Sequence, residues 1–121
     1  MNNLSQREWT VLGALWDTGG TTLGALTQAL HDATGWSRNT VQTYLTRMES
    51  KGLVIIDKEC YPSIYRAAMS REQCQAQARA SFLHDVYRGA AGDLVAAFLK
   101  EKPLSAKERD ELRRLLDEME V

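Results

Sequence analysis

The stretch Trp36–Leu53, WSRNTVQTYLTRMESKGL, limits what this chain can fold into more than any other. At roughly 100° per residue, Val41, Leu45 and Met48 fall on one narrow stripe with Tyr44 beside it. Asn39, Thr43, Thr46, Arg47 and Ser50 fall on the opposite side. Ser37 is an N-cap residue, and Trp36 before it can staple onto Val41. Gly52 supplies a C′ stop. The pattern predicts a short helix over 37–51 with a buried seam. Its outer face carries amides, hydroxyls and one guanidinium, with no carboxylate before Glu49. Such a set can meet base edges and phosphates. It is equally the set of an ordinary solvated face, so the flanking sequence has to decide.

Upstream, Ser5 and Glu8 have the spacing of a capping box, and Leu4 can staple onto Trp9. A helix is expected to about Asp17, with Trp9, Leu12 and Trp16 on its buried stripe, flanked by Val11 and Leu15. Two tryptophans on one helix bury a large area, which makes this helix the centre of a core. Gly19-Gly20 stops it. Thr21 or Thr22 caps a second helix to about Thr34, with the seam Leu23, Leu26 and Leu30, closed by Gly35. Two short helices joined tightly, the second polar on its outer face, form the helix-turn-helix order.

After Gly52 the period changes. Leu53–Ile56 and Ile64–Ala67 read as two strands joined around the turn residues Tyr61-Pro62-Ser63. Three helices and a hairpin make the winged-helix order. Lys58 and Arg66 in the wing are candidate phosphate contacts, with Glu59 opposing them. Ser70 and Gln73 open a further helix that runs to about Tyr87, and Gly89 and Gly92 bracket a break. Another helix is expected over Asp93–Glu101, apolar at Leu94, Val95, Phe98 and Leu99, before Pro103. Ser105 and Glu108 open the last helix, with Leu112, Leu115, Leu116 and Met119 at i, i+3, i+4 and i+7.

The fold class is therefore mainly α: a winged-helix DNA-binding domain over 1–69, then a helical dimerisation domain over 70–121. The C-terminal helices are too thinly apolar to build a core alone. Packing back onto the first domain is one solution. The preferred one is a homodimer through Leu94, Val95, Phe98, Leu99, Leu112, Leu115, Leu116 and Met119. A two-fold dimer sets two recognition helices on successive major-groove faces of a duplex.

Totals narrow the function further. The 121 residues carry a net charge of −1, so any phosphate-binding surface is local rather than global. From Trp36 to Lys58 the basic residues are Arg38, Arg47, Lys51 and Lys58, and the acidic ones Glu49 and Asp57. No apolar run approaches the ~20 residues of a membrane span, and the N-terminus lacks an apolar leader, so a cytoplasmic protein without direct membrane insertion is expected. Cys60 and Cys74 match no zinc spacing and read as reduced, inert thiols. His31 and His84 have no ligand-type neighbours. No metal and no cofactor is expected. There is no nucleophile–base pair and no glycine-rich phosphate loop, which argues against an enzyme.

The chain resembles the penicillinase-repressor family of winged-helix regulators (the BlaI/MecI/CopY type). The matching residues are Leu4-Ser5-x-x-Glu8-Trp9-x-Val11-Leu12 with Leu15-Trp16, and Trp36-Ser37-x-x-Thr40-Val41-x-Thr43-Tyr44-Leu45-x-Arg47-Met48 with Lys51-Gly52-Leu53-Val54. Tyr65, Ser70-Arg71-Glu72, Leu94-Val95-x-x-Phe98 and Leu104-Ser105-x-x-Glu108 follow in order. The resemblance covers nearly the whole length. It implies a homodimeric repressor on a palindromic double-stranded DNA operator, relieved through a membrane-bound sensor protease or, in copper-responsive members, by metal at a cysteine cluster. It places base reading at Asn39, Thr40 and Thr43, with Arg38, Gln42 and Arg47 nearby. The cleaved bond of protease-responsive members corresponds to Ala97-Phe98, where Ala97 replaces the usual Asn. The paired C-x-C motifs of copper-responsive members are missing from the end LLDEMEV, and the wing tip Lys58-Glu59-Cys60-Tyr61-Pro62 replaces the usual basic, glycine-containing one. The competing reading is a winged-helix protein-interaction module without specific DNA binding, which the neutral charge and Glu59 favour.

Overall fold

The computed structural model describes residues 4–119; Met1–Asn3 of the N-terminal reading, and Glu120 and Val121, lie outside them. Eight elements follow in order: α1 (Gln6–Thr18), α2 (Leu23–Thr34), α3 (Arg38–Ser50), β1 (Val54–Asp57), β2 (Ile64–Ala67), α4 (Arg71–Tyr87), α5 (Ala91–Glu101) and α6 (Ala106–Glu118). This is the mainly helical, winged-helix order with additional C-terminal helices. The chain divides into two compact units, the first ending at Ser81 and the second beginning at Phe82. The sequence places the boundary at 69/70, where Ser70 opens a new helix after the hairpin. The start of α4 goes with the first unit because the Cys74 side chain is buried in that unit's core.

In the first unit α1 packs on α2, α3 and β2. Val11, Leu12, Leu15, Leu26, Val41, Leu45 and Met48 are fully buried, each such burial contributing about 1.5–3 kcal/mol. The α1 stripe differs from the expected one. Val11, Leu12 and Leu15 form the centre, while Trp9 and Trp16 are half-buried at its edge. The two indoles meet edge-on with centroids 6.0 Å apart. Trp16 sits at the rim because its indole N–H needs an acceptor, which it finds in the Met69 carbonyl at 2.8 Å. Arg71 lies over the same ring, 5.4 Å from its centroid, and pairs with Asp17 at 2.8 Å. The entry to α4 is thus clasped onto the end of α1.

The hairpin is antiparallel, with Val54 opposite Ala67 and Asp57 opposite Ile64. Its first strand starts one residue later than expected because the Leu53 N–H closes the preceding helix. Thr21 adds a third strand's worth of pairing, exchanging both backbone bonds with Tyr65 at 3.0 and 2.7 Å.

In the second unit α5 starts at Ala91, so Gly92 lies in its first turn rather than in a break. First-turn N–H groups have no partner within a helix, so a glycine there forfeits little. The corner before it is made at Arg88 and Gly89, with φ of 50° and 86°. α6 carries the expected Ser105–Glu108 capping box and ends at Glu118. Met119 is its extended C-cap, not a helical position. No residue of α5 or α6 is buried.

Candidate nucleic-acid interface

α3 is fixed at both ends and along its back. Ser37 Oγ accepts from the Thr40 N–H at 3.2 Å. At the other end Lys51 is the C-cap and Gly52 takes φ 78°. Gly52 N–H donates to the Glu49 carbonyl at 2.9 Å and Leu53 N–H to that of Met48 at 2.8 Å. This pair of bonds is the Schellman closure, and it satisfies carbonyls that a helix end otherwise leaves open. Val41, Leu45 and Met48 key the inner stripe into the core. Trp36 stacks on Tyr44 at 5.0 Å, and the Arg7 guanidinium donates to the Tyr44 hydroxyl at 2.6 Å. A helix held this way presents its outer side chains in a set geometry.

Those side chains are Arg38, Asn39, Gln42, Thr43, Thr46, Arg47 and Ser50, all exposed. Among the described residues the side chains of Asn39, Gln42 and Arg47 make no hydrogen bond or ion pair, so their donors and acceptors face water. Thr43 Oγ1 donates to the Asn39 carbonyl at 2.9 Å, and Ser50 Oγ to that of Thr46 at 3.2 Å. Thr40 stands apart: it is half-buried, and its hydroxyl shares a 3.1 Å bond with Ser37 Oγ inside the cap.

Lys51 has a role that its sequence neighbours do not reveal. Its ammonium lies 2.9 Å from Glu8 Oε2. Glu8 also accepts from the Ser5 N–H at 2.9 Å, closing the α1 capping box. Burial pushes the Glu8 carboxyl up, but the Ser5 N–H and the Lys51 ammonium outweigh it and hold the group below its ordinary value. Lys51 therefore locks the C-terminal end of α3 to α1, although its half-exposed ammonium keeps further donors for a phosphate.

In the wing Lys58 and Arg66 are exposed. Asp57 accepts from the Glu59 N–H at 3.1 Å and from the Cys60 thiol at 3.5 Å, so this carboxylate braces the loop. The same carboxylate pushes the Cys60 thiol above its usual range, and burial does so for Cys74. Both cysteines are thiols rather than nucleophilic thiolates. The loop and α3 share a surface: Tyr61 and Pro62 line a cleft of about 510 Å³ together with Arg38 and Gln42 of α3 and Leu23 and Gly24 of α2.

The apolar residues expected at a dimer interface lie in the second unit. Leu94 is half-buried, and Val95, Phe98, Leu99, Leu112, Leu115, Leu116 and Met119 are exposed. The Ala97–Phe98 bond lies inside α5. Among the described residues no helix is long and apolar enough to cross a membrane, and no three His, Cys, Asp or Glu side chains are placed to hold a metal ion.

Sequence reasoning missed Glu8 as the partner of Lys51, Thr21 as a strand partner and Tyr61 as a wall of the α3 cleft. Their separations of tens of residues leave no periodic trace.

Comparison with known proteins places these features. The penicillinase repressor family profile matches residues 4–118. The methicillin resistance regulatory protein MecI of Staphylococcus aureus is 25% identical over 114 residues, covering 94% of this chain and 93% of its own. The penicillinase repressor of Bacillus licheniformis is 28% identical over 115 residues, covering 95% and 90%. A penicillinase repressor of Staphylococcus aureus is 24% identical over 116 residues, covering 96% and 92%.

Proposed function

The chain belongs to the penicillinase repressor family, a family of DNA-binding transcriptional repressors, and we propose that it acts as a homodimer that binds a palindromic operator through α3. The observation that carries this reading is the outer face of α3. Unpaired amide and guanidinium groups of Asn39, Gln42 and Arg47 stand on a helix anchored at both ends and along its back. Bidentate amides and guanidinium groups are the side chains that distinguish base pairs in a major groove. Arg38 and Lys58 supply phosphate contacts around it, Thr43 reads a base edge, and Thr40 acts through the cap.

The homodimer forms through Leu94, Val95, Phe98, Leu99, Leu112, Leu115, Leu116 and Met119, whose apolar surface is otherwise left in water. Two linked recognition helices multiply the weak attraction of a nearly neutral domain for DNA. Derepression follows a signal acting on the second unit. A sensor protease is one such input, and cleavage at Ala97–Phe98 requires α5 to unwind locally, because a helical bond does not present an extended backbone to a protease.

The test is selection of random duplex fragments by the full-length protein at two salt concentrations, followed by sequencing. An enriched palindrome with half-sites about one helical turn apart, or a multiple of it, supports the reading. Binding should weaken steeply with salt as counterions are released. Asn39→Ala should relax sequence choice, while Lys58→Ala should weaken all duplexes alike. No enrichment at low salt, from folded dimeric protein, favours the protein-interaction module instead.

A further inference from the structure

We infer that Trp16, Asp17 and Arg71 are positioning residues that set which separation of two half-sites the protein accepts, an inference that rests on the homodimeric, operator-binding reading above. The start of α4 is attached to the winged unit in several ways. The Trp16 indole N–H donates to the Met69 carbonyl at 2.8 Å, just before the helix. Arg71 pairs with Asp17 at 2.8 Å and lies over the Trp16 ring, 5.4 Å from its centroid. Ser70 and Gln73 close the same turn, Ser70 Oγ accepting from the Gln73 N–H at 3.1 Å and Gln73 Oε1 from the Ser70 N–H at 2.9 Å. Cys74 is buried in the core. The next three residues, Gln75, Ala76 and Gln77, are exposed.

Cys74 alone would be a pivot about which the helix could rock. The clasp removes that freedom. A planar guanidinium held between an indole face and a carboxylate has one geometry, and the indole N–H ties the same ring to the chain on the other side of Ser70. The Asp17–Arg71 pair is largely exposed, so it contributes little to stability. What it fixes is a direction. From Arg71 to Ser81, the end of the first unit, α4 runs about 16 Å. A tilt of about 12° at its start would move that end by one base-pair step, about 3.4 Å. Phe82 and the second unit follow on the same helix. Adding a base pair between half-sites also turns one half-site about 35° round the duplex axis. A stiff start to α4 therefore rejects an altered separation, and a loose one accommodates it.

The experiment measures binding of the full-length protein to the palindrome it selects, to the same palindrome with its centre shortened or lengthened by one base pair, and to a single half-site. Wild type should lose about 10²-fold in affinity at either altered separation, because both half-sites can no longer be engaged together. Trp16→Phe combined with Arg71→Ala should lose only about ten-fold there. Its single half-site affinity and its dimer by sedimentation should match wild type. Arg71→Ala alone, a substitution at a half-exposed site, should fall between the two and serves as the test if the double variant does not fold. Variants that reject altered separations as strongly as wild type overturn the inference, as does a wild type indifferent to separation. A loss that is equal at every separation and extends to the single half-site also overturns it, because the clasp then only supports the winged unit. A wild-type protein that selects no palindrome overturns the operator reading and this inference with it.

Discussion

The two units of this molecule use the same local grammar and reach different ends. α1 and α6 both begin with a serine–glutamate capping box and both run for 13 residues. Yet Val11, Leu12 and Leu15 of α1 are at most 1% exposed, whereas Leu115 and Leu116 of α6 are 56% and 61% exposed. A capped helix of this length is marginal in water without burial. The difference shows that caps and periodicity specify where a helix lies, while its stability depends on what covers its apolar face. The winged unit covers its own. The second unit is the one whose stability should depend on association.

Four substitutions bear on this comparison. The largest effect belongs to the second unit under the dimer proposal: Leu116→Asp should lower operator affinity by roughly 10²–10⁴-fold, because paired half-site binding becomes independent. Sedimentation should show the monomer while the winged unit keeps its cooperative unfolding. A dimer that survives breaks the comparison. In the first unit Leu45→Ala should cost about 2–5 kcal/mol in denaturant unfolding, with no dependence on protein concentration. Gly20→Ala comes next, at about 1–3 kcal/mol. Gly20 has φ 119°, which residues with a side chain rarely adopt, and a methyl there would lie 2.7 Å from Arg66 Cγ, so the Arg66 side chain has to shift. Lys51→Ala should cost about 1–2 kcal/mol by leaving Glu8 with the Ser5 bonds alone.

The pH dependence of that last effect has a definite sign. The Glu8 carboxyl is depressed in the folded state, so its contribution is present above the unfolded carboxylate value of about 4.3. It fades as pH falls through the lowered folded value. Acid unfolding of Lys51→Ala measured against wild type should therefore converge at low pH. A gap that persists there would mean that Lys51 acts by packing rather than charge.

Legibility in the sequence followed the same division between local and distant. The caps at Ser5, Ser37, Ser70 and Ser105 were readable because donor and acceptor lie three residues apart. The α3 seam was readable because burial on one side imposes a helical period. The exchange of roles in α1 was not. Size and apolarity point to Trp9 and Trp16 as the centre, but an indole N–H favours a rim where a carbonyl can receive it. The Glu8–Lys51 pair and the Trp16–Met69 bond span 43 and 53 residues, and nothing in either neighbourhood announces the other. At the candidate interface the outward residues of α3 were legible, whereas the engagement of Thr40 in the cap and of Lys51 with Glu8 required three dimensions.

The bond from Thr43 Oγ1 to the Asn39 carbonyl has an informational consequence. A hydroxyl that has spent its proton inside the helix can only accept, and beside its lone pairs it shows a methyl. Facing a major groove, it meets the amino groups of adenine and cytosine as partners and the C5-methyl of thymine as an apolar neighbour. Guanine offers it N7 and O6, acceptor against acceptor. Within the operator this protein selects, the base opposite Thr43 is expected to be depleted in guanine. Thr43→Val, which keeps the shape and removes the accepting hydroxyl, should let guanine return.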